Sequence, residues 1–313
     1  LLLAGCGRYQ DFTLPLQPGG AAQVHVEWQP RSEAVLSPGA PGEWDSVDVL
    51  NPSVVRAPEG YVNLYSGFDG KTWRTGVATS NDGLTWRKQG PILAPDPATW
   101  EGDYIAANGA AVLRESSLWY FYQAGRPPRI GLTRRGRKER APVLNVGPRG
   151  SWDERGVADP YVIEASRRLY MFYLGMDRAQ RQRLGVAVSD DGLTWRKLRS
   201  NPILELGDPG AFDENGLGEP AVWAEHGFYW MLYTGRDHSE VRRLGLARSR
   251  DGMHWEKRPE VFAGAEPWDS KVMCDATVLI EHNETRVWFG GGDIARPDEN
   301  IHGRIGYAVL KIE

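Results

Sequence analysis

Apolar and polar positions alternate along this chain in short runs that end on glycine, proline, asparagine or aspartate. "YVNLYSG", "LWYFYQAG", "LYMFYLG" and "FYWMLYTG" are aromatic runs closed by glycine, and "TGVATS", "LGVAVS" and "LGLARS" follow three of them. A two-residue period puts one side chain toward a core and the next toward water, so these segments predict strands. Long stretches of helical period are absent, and the predicted class is all-β. In three units the third run leads into S-x-D-G-x-x-W, seen as "SNDGLTW", "SDDGLTW" and "SRDGMHW", while "GLTRRGRKER" in the second unit is degenerate. Asp-Gly is a strong hairpin signal because tight two-residue turns need positive φ.

The pattern recurs at a larger scale. "WDSVDVLNPSVV" from 44, "WEGDYIAANGAAVL" from 100, "WDERGVADPYVI" from 152, "FDENGLGEPAVW" from 212 and "WDSKVMCDATVL" from 268 align with one another. The period of roughly 50 to 60 residues is the length of one four-stranded propeller blade. Five copies predict a five-bladed β-propeller. The fifth copy stops at "GRIGYAVLKIE", after its third strand, while "EWQPRSEAVLSPGAPGEWD" near the start matches a fourth strand and its exit. Residues around 27 to 37 are therefore expected to supply the outer strand of the last blade, making 27–313 one domain.

Composition narrows the partners. With a net charge of −4, nothing points to nucleic acid. No apolar run approaches the ~18 residues that would cross a bilayer. The start, "LLLAGCG", resembles the end of a bacterial lipoprotein signal, Leu3-Ala4-Gly5-Cys6 standing as a lipobox with Cys6 lipidated. That resemblance implies segment 1–6 as the signal's end, a Pro-, Gly- and Gln-rich tether over 7–26, and a monomer anchored by lipid at the bacterial cell envelope, on the periplasmic or extracellular face. Cys274, the second of two cysteines, is expected to be a buried inert thiol.

One position breaks the repetition. At the start of each first strand the copies place Asn51, Asn108, Asp159, Glu219 and Asp275, three of them directly before proline. Capping of a turn explains Asn and Asp but explains Glu219 poorly. Symmetry predicts that all five ring the mouth of one funnel, where three carboxylates would repel and hold some of their protons to higher pH.

Five blades, S-x-D-G-x-x-W turns, and Asp-Pro followed by Glu-Pro about 60 residues later resemble the five-bladed glycoside hydrolases of families 43, 32 and 130. The likeness implies carbohydrate as substrate, Glu219 as general acid and Asp159 as the aspartate that orients and tunes it. It puts Asn51 in the place of the general base, so Asp48 and Asp275 stand as the alternative sources of that carboxylate. Loops after the second strands, "GRPPR", "GMDRAQRQR", "GRDHSEVRR" and "GGGDIARPDENIHGR", are expected to rim the funnel with Arg126, Asp177, Arg178, Arg236, Asp237 and Asp293. Solvated loop charge is the bland alternative. Tyr104, with Trp73 and Tyr161, is a sugar-stacking candidate. No cofactor is expected to be required; His302 is a weak candidate to approach a structural Ca2+ in the central channel, as the family resemblance implies.

The resulting expectation is a secreted, membrane-anchored hydrolase of a polysaccharide or oligosaccharide, such as a furanoside of the arabinan type. A catalytically inactive glycan-binding propeller and a glycoside phosphorylase are the alternatives. A sialidase fits less well, since its Asp box has a longer Asp–Gly spacing.

Overall fold

The computed structural model describes residues 7–114, 116–296 and 298–313. Cys6 and its lipobox lie outside the described residues. Among the described residues there is no α-helix, only a single 3-10 turn, and the fold is all-β.

Two short strands come first, β1 (Tyr9–Gln10) and β2 (Val26–Pro30). Five antiparallel meanders follow. The first is β3 (Asp48–Ala57), β4 (Gly60–Phe68), β5 (Trp73–Ser80) and β6 (Arg87–Leu93). The second is β7 (Ile105–Arg114), β8 (Ser117–Ala124), β9 (Arg129–Arg134) and the two-residue β10 (Arg137–Lys138). The third is β11 (Gly156–Ala165), β12 (Arg168–Met176), β13 (Gln182–Ser189) and β14 (Arg196–Leu198). The fourth is β15 (Gly216–Glu225), β16 (Phe228–Arg236), β17 (Arg242–Ser249) and β18 (Glu256–Phe262). The fifth is β19 (Val272–Glu281), β20 (Glu284–Gly292) and β21 (Arg304–Ile312). Its outer partner is β2, paired antiparallel from Val26 opposite Ile312 to Pro30 opposite Ala308. Each first strand packs against the first strands of neighbouring meanders, and β19 packs against β3.

A repeated joint explains the tryptophan–acid sequences. In the third meander Trp152 lies so close under Gly175 that a Cβ there would stand 2.2 Å from the ring. The next residue, Asp153, is fully buried and accepts from the Tyr173 hydroxyl at 3.3 Å and from Lys197. Asp45 with Tyr65 and Lys88, Glu101 with Tyr122 and Lys138, and Asp213 with Tyr233 and Lys257 repeat the joint. Each buried carboxylate is thus neutralised by a lysine from the outer strand and fixed by a tyrosine from the second, which ties two strands to the entry loop.

The S-x-D-G turns are equally regular. Ser80, Ser189 and Ser249 accept from the amides of Gly83, Gly192 and Gly252 at 2.8–2.9 Å. Asp82, Asp191 and Asp251 each accept two further backbone amides of their own turn. These glycines sit at φ 74–75°, a conformation that costs a residue with a Cβ about 1–2 kcal/mol.

Residues 7–26, expected to be a loose tether, instead lie against the body. β1 pairs in parallel with β14, and Leu14 is buried between the third and fourth meanders among Tyr229 and Met253. The amides of Leu14, Gln17 and Gly19 donate to Asp251, Arg250 and Gly227 at 2.8–2.9 Å. Apolar burial and main-chain bonds outweigh the flexibility that the Pro and Gly content suggests.

Candidate functional site

Every first strand slips register at one place: between Leu50 and Ser53, Ala107 and Ala110, Ala158 and Tyr161, Gly218 and Ala221, and Cys274 and Thr277. The residue at each slip is Asn51, Asn108, Asp159, Glu219 or Asp275, and all five are left-handed, with φ of 47–56°. These are β-bulges, which bend a strand and re-aim one side chain. Asparagine and aspartate tolerate the left-handed region; glutamate does not favour it, and its strain marks the position as serving something other than the fold.

All five bulge residues line one cavity of about 260 Å³, with Trp73, Tyr104, Gln182, Thr234, Arg236, Arg242, Cys274, Asp298 and Glu299 among its other walls. Glu219, Cys274 and Asp275 each bring one polar atom to within 4.8 Å of the other two. The Cys274 thiol donates to Asp275 Oδ2 at 3.0 Å, and the Asn51 amide reaches the same oxygen at 3.3 Å. Asp275 Oδ1 and Glu219 Oε2 are buried with no protein partner.

Charge follows geometry. Burial, then the negative charge of Glu219, pushes the Asp275 carboxyl well above the usual carboxylate range. Burial first and Glu219 second do the same to Asp159, against a stabilising hydrogen bond from Asn108. Burial, then Asp275, keeps the Cys274 thiol protonated. Two carboxyls flanking Glu219 are therefore both shifted toward their protonated forms. Glu219 and Asp275 form one closely spaced acidic pair, their nearest oxygens within 4.8 Å of each other.

Several expected site residues stand elsewhere. Asp48 is fully buried and accepts the amides of Asn300, Ile301 and Gly303 at 2.6–3.1 Å, so it pins a loop and cannot replace the missing base. Asp177 and Asp237 accept the amides of their own loops together with Arg181 or Arg243. Arg178 is exposed, 3.7 Å from Glu154. Asp293 pairs with His302 at 2.8 Å, both side chains well exposed. Inside the channel Tyr161 reaches across to the Val278 amide at 3.4 Å. Arg126 stacks on Tyr104 at 4.7 Å, and Arg236 lines the cavity as expected.

The sequence reading missed Arg242, Cys274, Asp298 and Glu299. Arg242, nine-tenths buried on β17, pairs with Asp298. Its signal was weak: it lies in the rim segment "GRDHSEVRR", where nothing in the letters separates it from Arg243.

An uncharacterized protein of Mycobacterium tuberculosis is 26% identical over 231 residues, 66% of this chain and 75% of that protein. A 1,2-beta-oligomannan phosphorylase of Thermoanaerobacter is 26% identical over 130 residues, 39% of this chain and 43% of that protein. Among solved structures, a glycosyl hydrolase from Bacteroides ovatus superposes with a TM-score of 0.72 at 17% identity, covering 90% of this chain and 93% of that one. Beta-1,2-mannobiose phosphorylase from Listeria innocua does so at 0.71 and 11%, covering 91% and 97%. At such identities the superpositions speak for the fold alone, a propeller-type glycoside hydrolase fold. The family model for the glycosyl hydrolases family 32 N-terminal domain matches residues 61–286, more than two-thirds of the chain, and the protein belongs to that family.

Proposed function

We propose that the protein breaks a glycosidic bond in an oligosaccharide or polysaccharide, on a five-bladed propeller whose last blade is closed by β2. The observation that carries this reading is the ring of five left-handed bulges around one cavity, three of them carboxylates from adjacent meanders. The Glu219–Asp275 unit donates a proton to the leaving glycosidic oxygen, and Glu219 delivers it. Asp159, tied to Asn108, sets how readily that proton leaves. Positioned proton transfer of this kind typically contributes about 10²–10⁴-fold in rate. Arabinan-type furanosides are one substrate class to be tried. Lipid anchoring through Cys6 at the cell envelope, as a monomer with no required cofactor, belongs to the same proposal.

Two of the five bulge positions carry amides, Asn51 and Asn108, and the first is where a hydrolase of this type would hold its base. That observation favours a second reading, phosphorolysis. A phosphate oxygen, already anionic, attacks the anomeric carbon; the glycosidic C–O bond breaks, the leaving oxygen takes the proton, and a sugar phosphate forms. Arg236 and Arg242 supply positive charge beside the cavity for such a nucleophile.

Incubating the purified protein with chromogenic furanosides, pyranosides and natural glycans, with and without inorganic phosphate, separates the readings. Free sugar indicates hydrolysis, and sugar phosphate formed only with phosphate indicates phosphorolysis. Glycan binding without either product would leave an inactive binding propeller and remove the catalytic proposal.

A further inference from the structure

The loop from 293 to 303, between β20 and β21, sends two carboxylates into the cavity. Asp298 pairs with Arg242 and lies 3.7 Å from Arg236 through the same oxygen. Glu299 accepts from the Trp73 indole at 3.2 Å and from the Tyr104 hydroxyl. The loop's root is fixed, because Ile301 is fully buried and Asp48 holds the amides of Asn300, Ile301 and Gly303. Among its described residues the tip is held by the side chains of Asp298, Glu299 and Arg296, the last donating to the His238 carbonyl at 2.6 Å.

The ion pair is lopsided. The Arg242 side chain is 9% exposed, whereas that of Asp298 is 73% exposed. A carboxylate that keeps most of its water gains little from the pair, and such contacts are worth about 0–1 kcal/mol. A buried guanidinium does better with an oxyanion that comes inside and bonds in parallel.

We infer that Asp298 is an internal stand-in for a ligand oxyanion, a phosphate or a sugar carboxylate, that binds between Arg236 and Arg242, and that the loop must release Asp298 to admit it. This deepens the proposed glycosidic site by naming an anionic ligand group. Arg236 is held separately by Glu240 at 3.1 Å, so Asp298 blocks the subsite through Arg242, and while it does so apparent affinity for the ligand falls by the fraction of molecules in which the loop is open.

The test is calorimetric titration of the whole protein with inorganic phosphate and, separately, D-glucuronate. At least one of the two is expected to bind the native protein, and to bind Asp298→Ala about tenfold more tightly. Asp298→Asn, which keeps the shape and loses the charge, must tighten binding as well. Tightening in phosphate alone assigns the subsite to a phosphate group, and tightening in glucuronate alone to an acidic sugar. No binding of either anion, unchanged or weaker binding in Asp298→Ala, or tightening by Ala without Asn would each overturn the inference. Turnover is not read, so a protein inactive on every glycan could still pass, and an active one could still fail.

Discussion

Asp82 and Asp159 are the same residue type in two repeated positions, and the protein treats them oppositely. Asp82, in an S-x-D-G turn, accepts the amides of Leu84 and Thr85, which hold its carboxyl down at about 2. Asp159, at a bulge, is pushed well above the carboxylate range by burial and by Glu219. In the turns the letter is retained from copy to copy because the backbone needs that acceptor. In the bulges the backbone is retained while the letter changes among Asn, Asp and Glu. A repeat protein thereby separates what the fold requires from what a single shared cavity requires.

The sharpest break between the two classes is Glu219→Gln. It keeps size and removes the proton, and kcat is expected to fall by about 10³-fold on whichever substrate is found, with the thermal midpoint not lowered. Asp159→Asn should do the same at the level of kcat. Retained turnover in Glu219→Gln would remove Glu219 as the acid.

Asp153→Ala tests the other class. It leaves Lys197 buried without its partner, and losing one member of a buried pair is typically worth about 3–5 kcal/mol. Unfolding by urea should show that loss, while kcat per folded molecule stays within about twofold of native. A large kcat effect without loss of stability would show that joint and cavity are not separable.

The meander pattern and the alignment of the five copies were legible in the sequence because strand alternation and turn residues are local signals. So was the convergence of Asn51, Asn108, Asp159, Glu219 and Asp275, since equivalent positions in a repeat share a place. Local letters could not distinguish an acid that folds its own loop from one that faces a ligand. Asp177 and Asp237 read as rim residues but spend their oxygens on backbone amides. Arg242 lay in an expected rim segment but could not be told from its neighbour Arg243, because its partner Asp298 comes from a distant, non-repeating loop. Leu14, in a segment of tether-like composition, is buried by contacts distant in sequence.

The opposite displacement of the two sets of carboxyls predicts opposite pH dependences. Asp82 and Asp251 are lowered to about 2, so their contribution to stability is present above the unfolded value of about 4 and disappears as pH falls through about 2. Asp159 and Asp275 are raised, so folding favours their protonated forms and stability declines as pH climbs from about 4 through the raised values. Asp159 faces Glu219, Asn108, Asp298 and Arg236, and Asp275 faces Glu219, Cys274 and Asp159. Thermal midpoints from pH 3 to 8 should therefore show a shallower acid limb in Asp82→Asn and a shallower alkaline decline in Asp159→Asn. The reverse assignment would contradict the charge placement argued for the cavity.

The smallest effect probes the bulge itself. Glycine inside a strand normally destabilises by about 0.5–1 kcal/mol. At position 219 the sign should invert, because φ is 49° and glycine alone is free of strain there. Comparing Glu219→Gly with Glu219→Gln holds charge constant, so the difference reports the backbone rather than relief of repulsion with Asp159 and Asp275. Glycine is expected to be the more stable of the two by about 1 kcal/mol. If glutamine proved equal or better, the side chain would be packing well enough to stabilise the bend on its own. The changing letters of the bulge positions would then belong to the fold as fully as the constant letters of the turns do.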